Sequence, residues 1–244
     1  MSQALHRATV RCLYDPALVA RLRAGERLPE LSEQEHGWLL AVDPRAWTTD
    51  PYRRSRSLTA LLDEFPVAAA VRGVRACDGF FSSQAFHRCI QDRGRLALAF
   101  GTWLGPVATL ELAIARSRRP GPVAGLRLAP GVAAVTVPEG FLAWFVAARA
   151  EVLPLETLVG GARPSAAPPT EGDEHLIIEP GVDGPQVGGG SAALNAFLDF
   201  CASGTTREAA LAEARRLGCE PGDDESLLAE LVGDGLLVGG AEGG

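Results

Sequence analysis

The chain has 244 residues, 47% of them apolar, with 23 basic against 30 acidic side chains and a net charge of −7. That length holds one large domain or two modest ones, and the composition suffices to bury ordinary cores. Every one of the 23 basic residues is arginine, which excludes the P-loop lysine, Schiff-base chemistry and the Ser–Lys hydrolases.

No uninterrupted apolar run approaches the roughly 18 residues of a membrane span. Met1 to Val10, broken by His6 and Arg7, lacks the apolar centre of a secretory signal. Cys12, Cys77, Cys89, Cys201 and Cys219 are scattered and odd in number. They are expected to be reduced, mostly buried thiols of a cytoplasmic protein. Charge divides unevenly: residues 1–150 hold 19 Arg and 13 Asp/Glu (net +6), residues 151–244 hold 4 and 17 (net −13). Such a split points to two modules with different partners, or to two halves that attract each other.

In chain order, Asp15-Pro16 reads as an N-cap and first helical position, opening Ala17 to Arg23. Ser32-Glu33-Gln34-Glu35 is a capping box before Trp38, Leu39, Leu40 and Val42. Asp50-Pro51 repeats the Asp-Pro start for a helix with Tyr52, Leu58, Leu61 and Leu62. Val67 to Val74 follows Phe65-Pro66 as an apolar helix. Ser83 caps a helix with Phe86, Cys89 and Ile90 on one stripe, and a longer helix runs from about Val107 to Arg118. The period then changes: Leu126 to Leu128 and Ala133 to Val137 read as strands of a hairpin around Pro130-Gly131. A helix over Phe141 to Arg149 follows Pro138. Residues 160–172, rich in Gly, Pro and Ala, read as a flexible linker or long loop.

Beyond that loop, Glu174 to Glu179 is a compact strand, turned by Pro180 to Gly184, with a weaker strand over Pro185 to Gly188. Leu153 to Val159 is a candidate third strand. Ser191 caps Ala192 to Cys201. Thr205-Thr206-Arg207-Glu208 reads as a second capping box, for a helix ending at Gly218 with Arg215 and Arg216 near its C-terminus. Asp223 and Asp224 start a third helix ending at Gly233 to Gly235. The fold class expected is mostly α with small β-sheets (α+β). A helical domain over 1–150 carries a β-hairpin, a winged-helix-like domain spans 151–238, and 239–244 form a flexible tail.

A small sheet and three helices usually suggest DNA. From Glu174 to Val238, however, three arginines face twelve carboxylates, a net of −9. Phosphate backbones are held by Lys and Arg, so charge opposes nucleic acid and favours a peptide. Residues 174–238 resemble the peptide-recognition elements of ribosomally made peptide natural-product pathways, built like the small PQQ-biosynthesis chaperone. The pattern is the strand His175-Leu176-Ile177-Ile178-Glu179-Pro180, a second strand, Ser191-Ala192 opening helix one, Thr206-Arg207-Glu208 opening helix two, and an acidic helix three ending in Gly235-Leu236-Leu237. The second strand, Gln186-Val187-Gly188-Gly189-Gly190, is unusually rich in glycine, which weakens a strand.

The resemblance implies that a precursor's leader adds as a strand to the sheet edge and packs against helix three, a case of β-augmentation. It places the peptide-binding groove between Gln186, Val187 and Gly188 and the helix face bearing Leu227, Leu231 and Asp234; Leu227 and Leu231 equally fit a plain core role. In the helical half, Leu61-Leu62-Asp63-Glu64-Phe65-Pro66 and Phe80-Phe81-Ser82-Ser83-Gln84-Ala85-Phe86-His87 look like the partner subunits of multinuclear non-heme iron peptide-modifying oxygenases. These include the accessory proteins of methanobactin and 3-thiaglutamate biosynthesis. That implies a heterodimer in which the other chain carries the iron and this chain needs no cofactor.

Residue chemistry adds little to this. His6, His36, His87 and His175 are too few and too scattered for a metal site, and His87 and Cys89, two apart on a helix, do not face the same way. No G-x-S-x-G elbow occurs. Gly188-Gly189-Gly190-Ser191 lies where phosphate loops occur, but without lysine it reads as a turn needing small residues. Asp63-Glu64 and Asp223-Asp224-Glu225 are explained by helix ends. Arg53, Arg54 and Arg56, and Arg116, Arg118 and Arg119, are either docking groups for an acidic protein face or solvated surface. The expectation is a non-catalytic adaptor with no metal site of its own; the alternatives are a stand-alone enzyme with an unrecognised site and a winged-helix transcriptional regulator.

Overall fold

The structure, a computed structural model, describes residues 2–48, 50, 52–121 and 124–239. Pro51 of the expected Asp50-Pro51 helix start, and 240–244 of the expected tail, lie outside the described residues. The architecture is mostly α with small antiparallel sheets. Two compact units are formed: Met1–Ala108 with Ala148–Ser165, and Thr109–Ala147 with Ala166–Gly244. This division departs from the expected boundary at 150/151. By these units the first has 16 Arg against 13 Asp/Glu (net +3) and the second 7 against 17 (net −10).

The first unit opens with α1 (Gln3–Tyr14), which the sequence reading passed over although Ser2 caps it, its hydroxyl accepting from the Leu5 amide at 3.0 Å. Asp15 caps α2 (Pro16–Arg23) by accepting from the Ala17 and Leu18 amides. The reciprocal Ser32–Glu35 capping box opens α3 (Glu33–Ala41) as expected. Leu5, Cys12, Leu18, Leu22, Leu39 and Trp47 share one core. Next come α4 (Arg53–Glu64), α5 (Pro66–Arg72) and α6 (Val74–Cys77). The expected helix over Val67 to Val74 is broken at Gly73, whose φ of +91° belongs to a left-handed backbone that ends a helix. Ser83 caps α7 (Gln84–Gln91), and α8 (Leu96–Leu104) follows. Helix α8 escaped the sequence reading because Arg95, at its start, makes no side-chain cap. Phe80 lies at the centre of this unit's aromatic core, 5.1 to 5.6 Å from the rings of Phe81, Phe86 and Phe100.

Instead of one helix over 107–118 there is a 3-10 turn at Pro106–Ala108 and then α9 (Thr109–Ser117). The remaining elements are β1 (Arg127–Leu128), β2 (Ala133–Val137), α10 (Phe141–Val152), α11 (Leu155–Val159), β3 (Glu174–Gly181), β4 (Gly184–Gly189), α12 (Ala192–Ala202), α13 (Arg207–Arg216), α14 (Asp223–Gly233) and β5 (Leu237–Val238).

The expected hairpin of β1 with β2 does not form. β1 pairs with β5, and β2 pairs with β3, both antiparallel. Leu126 and Thr205 exchange both amide hydrogen bonds, at 2.8 and 2.9 Å, drawing β1 toward the start of α13. Gly125 permits this approach: a Cβ there would lie 2.4 Å from the Thr205 carbonyl oxygen. Leu153 to Val159, the candidate third strand, is α11 in the first unit, with Leu158 buried. The third strand is β2.

Loop 160–172 has neither helix nor strand, as expected, yet it is tied along its length. Ser165 donates to Glu151, and the amide of Glu139 donates to the Glu171 carbonyl. The second capping box is not reciprocal. Thr206 rather than Thr205 is the cap of α13, which puts Ala209, not a glutamate, at the third helical position.

In the second unit, Ile177 and Ala134 on one sheet face join Phe197, Leu198 and Cys201 of α12, Ala210 and Ala214 of α13, and Leu228 and Leu231 of α14. Leu176 and Ile178 are completely buried and, by strand alternation, point to the other face. The sheet is therefore apolar on both sides, which is why β3 reads as a continuous apolar run.

Candidate functional site

The three-stranded sheet has the order β2-β3-β4, and among the described residues no strand pairs with the outer side of β4. Its register sets Gln186 opposite Glu179, Val187 opposite Ile178 and Gly188 opposite Ile177. The Gly190 amide donates to the His175 carbonyl at 2.7 Å, continuing that ladder one pair further. In an antiparallel pair, alternate residues exchange both backbone bonds with the neighbour and the ones between point away. Gly190, Gly188 and Gln186 therefore bond β3, whereas the N–H and C=O groups of Val187 and Gly189 point outward. Gly188 and Gly189 belong to the strand, and neither they nor Gly190 adopts positive φ. The turn expected at Gly188 to Ser191 is thus extended ladder. The turn expected over Pro180 to Gly184 does form, as Val182-Asp183, with Gly184 at φ +132°.

Leu227 and Leu231 line one cavity of about 420 Å³ with Ser191, Leu194, Phe197, Leu217 and Cys219, among others. Leu231 is a buried core residue, while Leu227 is partly buried against the same core. Ser191, which opens α12, brings this cavity to the end of the β4 ladder. Gln186, Val187, Gly188 and Asp234 are not among its lining residues. Val187 is half-buried; Gln186, Gly188 and Asp234 are exposed. The site residues thus divide into an open strand edge and an apolar cavity at the α12–α14 end. Gly189 and the α12 residues were missed in sequence; the period of two along β4 and the apolar stripe of α12 carry that signal.

The acidic start of α14 is structural. Asp224 is buried, accepts from the Gly222 amide at 2.9 Å and meets Arg215 at 2.6 Å. The Gly222 hydrogen bond first, and Arg215 after it, hold its carboxyl below the usual range. Burial pushes the thiols of Cys12, Cys77 and Cys201 up to about 11, which keeps them un-ionised and poor nucleophiles. His175 Nδ1 lies 3.1 Å from the Thr136 hydroxyl. His87 stands 3.4 Å from the buried Asp15 carboxylate, and Arg11 lies 3.4 Å from its other ring nitrogen. Arg53 and Arg56 pair with Asp50, and Arg54 holds Asp78, so the first arginine group is engaged within its own unit. Among the described residues, no group of three His, Cys, Asp or Glu side chains is placed to hold a metal ion. Among them, too, no helix is long and apolar enough to cross a membrane.

No protein-family model matches this sequence, and no curated protein matches it either.

Proposed function

We propose that this chain is a cytoplasmic, non-catalytic accessory protein of ribosomal peptide natural-product biosynthesis. It captures the leader of a precursor peptide by strand addition along β4 and presents the core peptide to a partner non-heme iron oxygenase, which carries the iron. The observation that carries this reading is the β4 edge, unpaired among the described residues, with the backbone groups of Val187 and Gly189 directed outward, in the same unit as an apolar cavity lined by Leu227 and Leu231. An unpaired edge is a liability that a partner strand relieves. Backbone hydrogen bonds supply affinity there, and a side-chain pocket supplies selectivity. The net charge of −10 on this unit opposes nucleic acid, whose affinity rests on neutralised phosphates. Tethering the leader raises the local concentration of the core peptide at the oxygenase without any chemistry from this chain.

The test is a titration of the full-length protein with the leader segment of a short precursor encoded beside it. Saturable binding that Val187→Pro weakens supports the proposal. Failure of the folded protein to bind, or turnover of a substrate by this chain alone, counts against it.

A further inference from the structure

The first unit holds a cavity that leader capture does not use. Helix α1 packs against α7. On α1, the residues Gln3, His6, Arg7 and Val10 fall on one face by the three- and four-residue spacing of a helix. An open cavity of about 550 Å³ has His6, Arg7 and Val10 of α1 on one side and Cys89, Ile90 and Arg93 on the other among its walls. That size lies within the range of small-molecule sites. No Asp or Glu is among its described walls.

Neither arginine is neutralised within the protein. Arg11, Arg21 and Arg27 of the same unit pair with Glu30, Glu26 and Glu33. Arg7 and Arg93 form no ion pair among the described residues. Arg7 donates from Nη2 to the uncharged side chain of Gln3 at 3.2 Å, and its Nε is buried without an acceptor among the described residues. A buried donor in that state calls for a partner. Arg93 is the one non-glycine residue with positive φ among the described residues, at +52°, in the turn after α7 where glycine is the usual occupant. Gly94 beside it is committed to close packing, since a Cβ there would lie 3.3 Å from Cys89 Sγ. The turn thus keeps a guanidinium at the cavity where a residue without a side chain would suit the backbone better. Of the neighbouring carboxylates, Glu35 is held by Ser2 and by the amide and hydroxyl of Ser32, and Asp92 pairs with neither arginine.

The charge identifies the occupant. A phosphate monoester carries about −2 at neutral pH, which two guanidiniums balance, and arginine bonds its oxygens in pairs. A carboxylate would balance only one of them. Nucleic acid needs a row of cations for its successive phosphates, whereas two arginines at one cavity form a single anchor. We propose that this cavity binds a small phosphate monoester. Arg7 and Arg93 hold the phosphate, His6 donates a ring N–H, and Val10 and Ile90 receive the organic body. The site lies in the first unit, and the proposal does not depend on leader capture.

The experiment titrates the full-length protein with phenyl phosphate by calorimetry at ~0.1 M salt, where long-range charge effects are screened. The comparison probes are benzoate, phenol, an oligouridylate, and phosphatidylcholine vesicles with and without phosphatidate, whose headgroup is also a phosphate monoester. The expected result is saturable binding of phenyl phosphate at or below ~1 mM, at least about tenfold weaker with benzoate and absent with phenol. Arg93→Gly, which the left-handed backbone accepts, should weaken binding about tenfold without disturbing the fold. Arg7→Gln, its fold checked by circular dichroism, should do the same, and Arg116→Ala in the second unit should leave binding unchanged. Absence of saturable binding overturns the proposal. So do equal binding of benzoate or phenol, full affinity in both Arg7→Gln and Arg93→Gly, an equal loss in Arg116→Ala, or tighter binding of oligouridylate or of phosphatidate vesicles.

Discussion

The amide of Gly190 donates to the carbonyl of His175 at 2.7 Å, and that bond determines which side of β4 faces outward. Shifting the pattern by one residue would turn Gln186 and Gly188 outward and bury the groups of Val187 and Gly189 in the ladder. The closing pair Gly181–Gly184 around the two-residue turn Val182-Asp183 obeys the same alternation from the other end. The β4 edge, the one we propose for peptide binding, is thus specified at the level of single backbone groups.

Proline substitution exploits this difference. Val187→Pro deletes an N–H that points away from β3, which an edge strand tolerates. It is expected to change folding stability by less than about 1 kcal/mol while weakening leader binding about tenfold or more. Gln186→Pro deletes an N–H that β3 uses and is expected to cost about 1–3 kcal/mol. Thermal unfolding of the two variants beside a peptide titration separates the effects.

Asn195 ties α12 to the sheet. Its side-chain amide is buried and donates to the Val135 carbonyl at 2.9 Å. Asn195→Ala is expected to cost about 1 kcal/mol, and Phe197→Ala, which empties the core beside it, about 3–5 kcal/mol. Chemical denaturation of the full-length protein measures both.

Truncation tests where the second unit begins. A fragment of residues 151–244 keeps β3, β4 and the three helices but loses β2, leaving one edge of β3 unpaired and removing Ala134 from the core that Ile177 shares with α12, α13 and α14. It is expected to melt without a cooperative transition, whereas the full chain melts cooperatively. Circular dichroism against temperature decides this, and a sharp transition in the fragment would contradict the assignment of β2.

His87 should make the first unit sensitive to acid. Burial first, and then the Arg11 charge, lower the His87 pKa below its ordinary value, with Asp15 acting in the opposite direction. The unfolded chain therefore takes up the proton more readily, so His87 favours the folded state above the usual histidine range. That contribution is lost as pH falls through the range toward the lowered value. Asp15→Asn retains a good helix cap for α2 and removes the charge that raises the ring's pKa. It is expected to move His87 further down, as an NMR titration of the imidazole would show.

Local signals made much of the fold legible. Asp15-Pro16, the Ser32–Glu35 box, Ser83 and Ser191 mark helix starts because capping is short-range chemistry. Helix α8 lacks such a cap, and α1, capped by Ser2, lies where the sequence was weighed only as a possible signal segment. Strand existence was also legible at 126–128, 133–137 and 174–179. Partner choice was not, because pairing β2 with β3 across the intervening α10 and α11 is non-local and leaves no mark in a short window. The glycine run at 188–190 misled for a different reason. Glycine signals turns through positive φ, but here its lack of a side chain serves a strand, as at Gly190, where a Cβ would lie 3.0 Å from Ile177. Of the candidate site, the family resemblance named Gln186 to Gly188, and these residues lie on β4, whose outer side no described strand pairs. The placing of Leu227 and Leu231 in a separate cavity with α12 required the packed helices.

The most direct measurement is amide hydrogen exchange of the full-length protein with and without its precursor's leader. Strand capture along β4 predicts that the leader slows exchange at Val187 and Gly189, while Gln186, Gly188 and Gly190, already bonded to β3, change little. A leader that binds without protecting Val187 and Gly189, or that does not bind the folded protein, would contradict it.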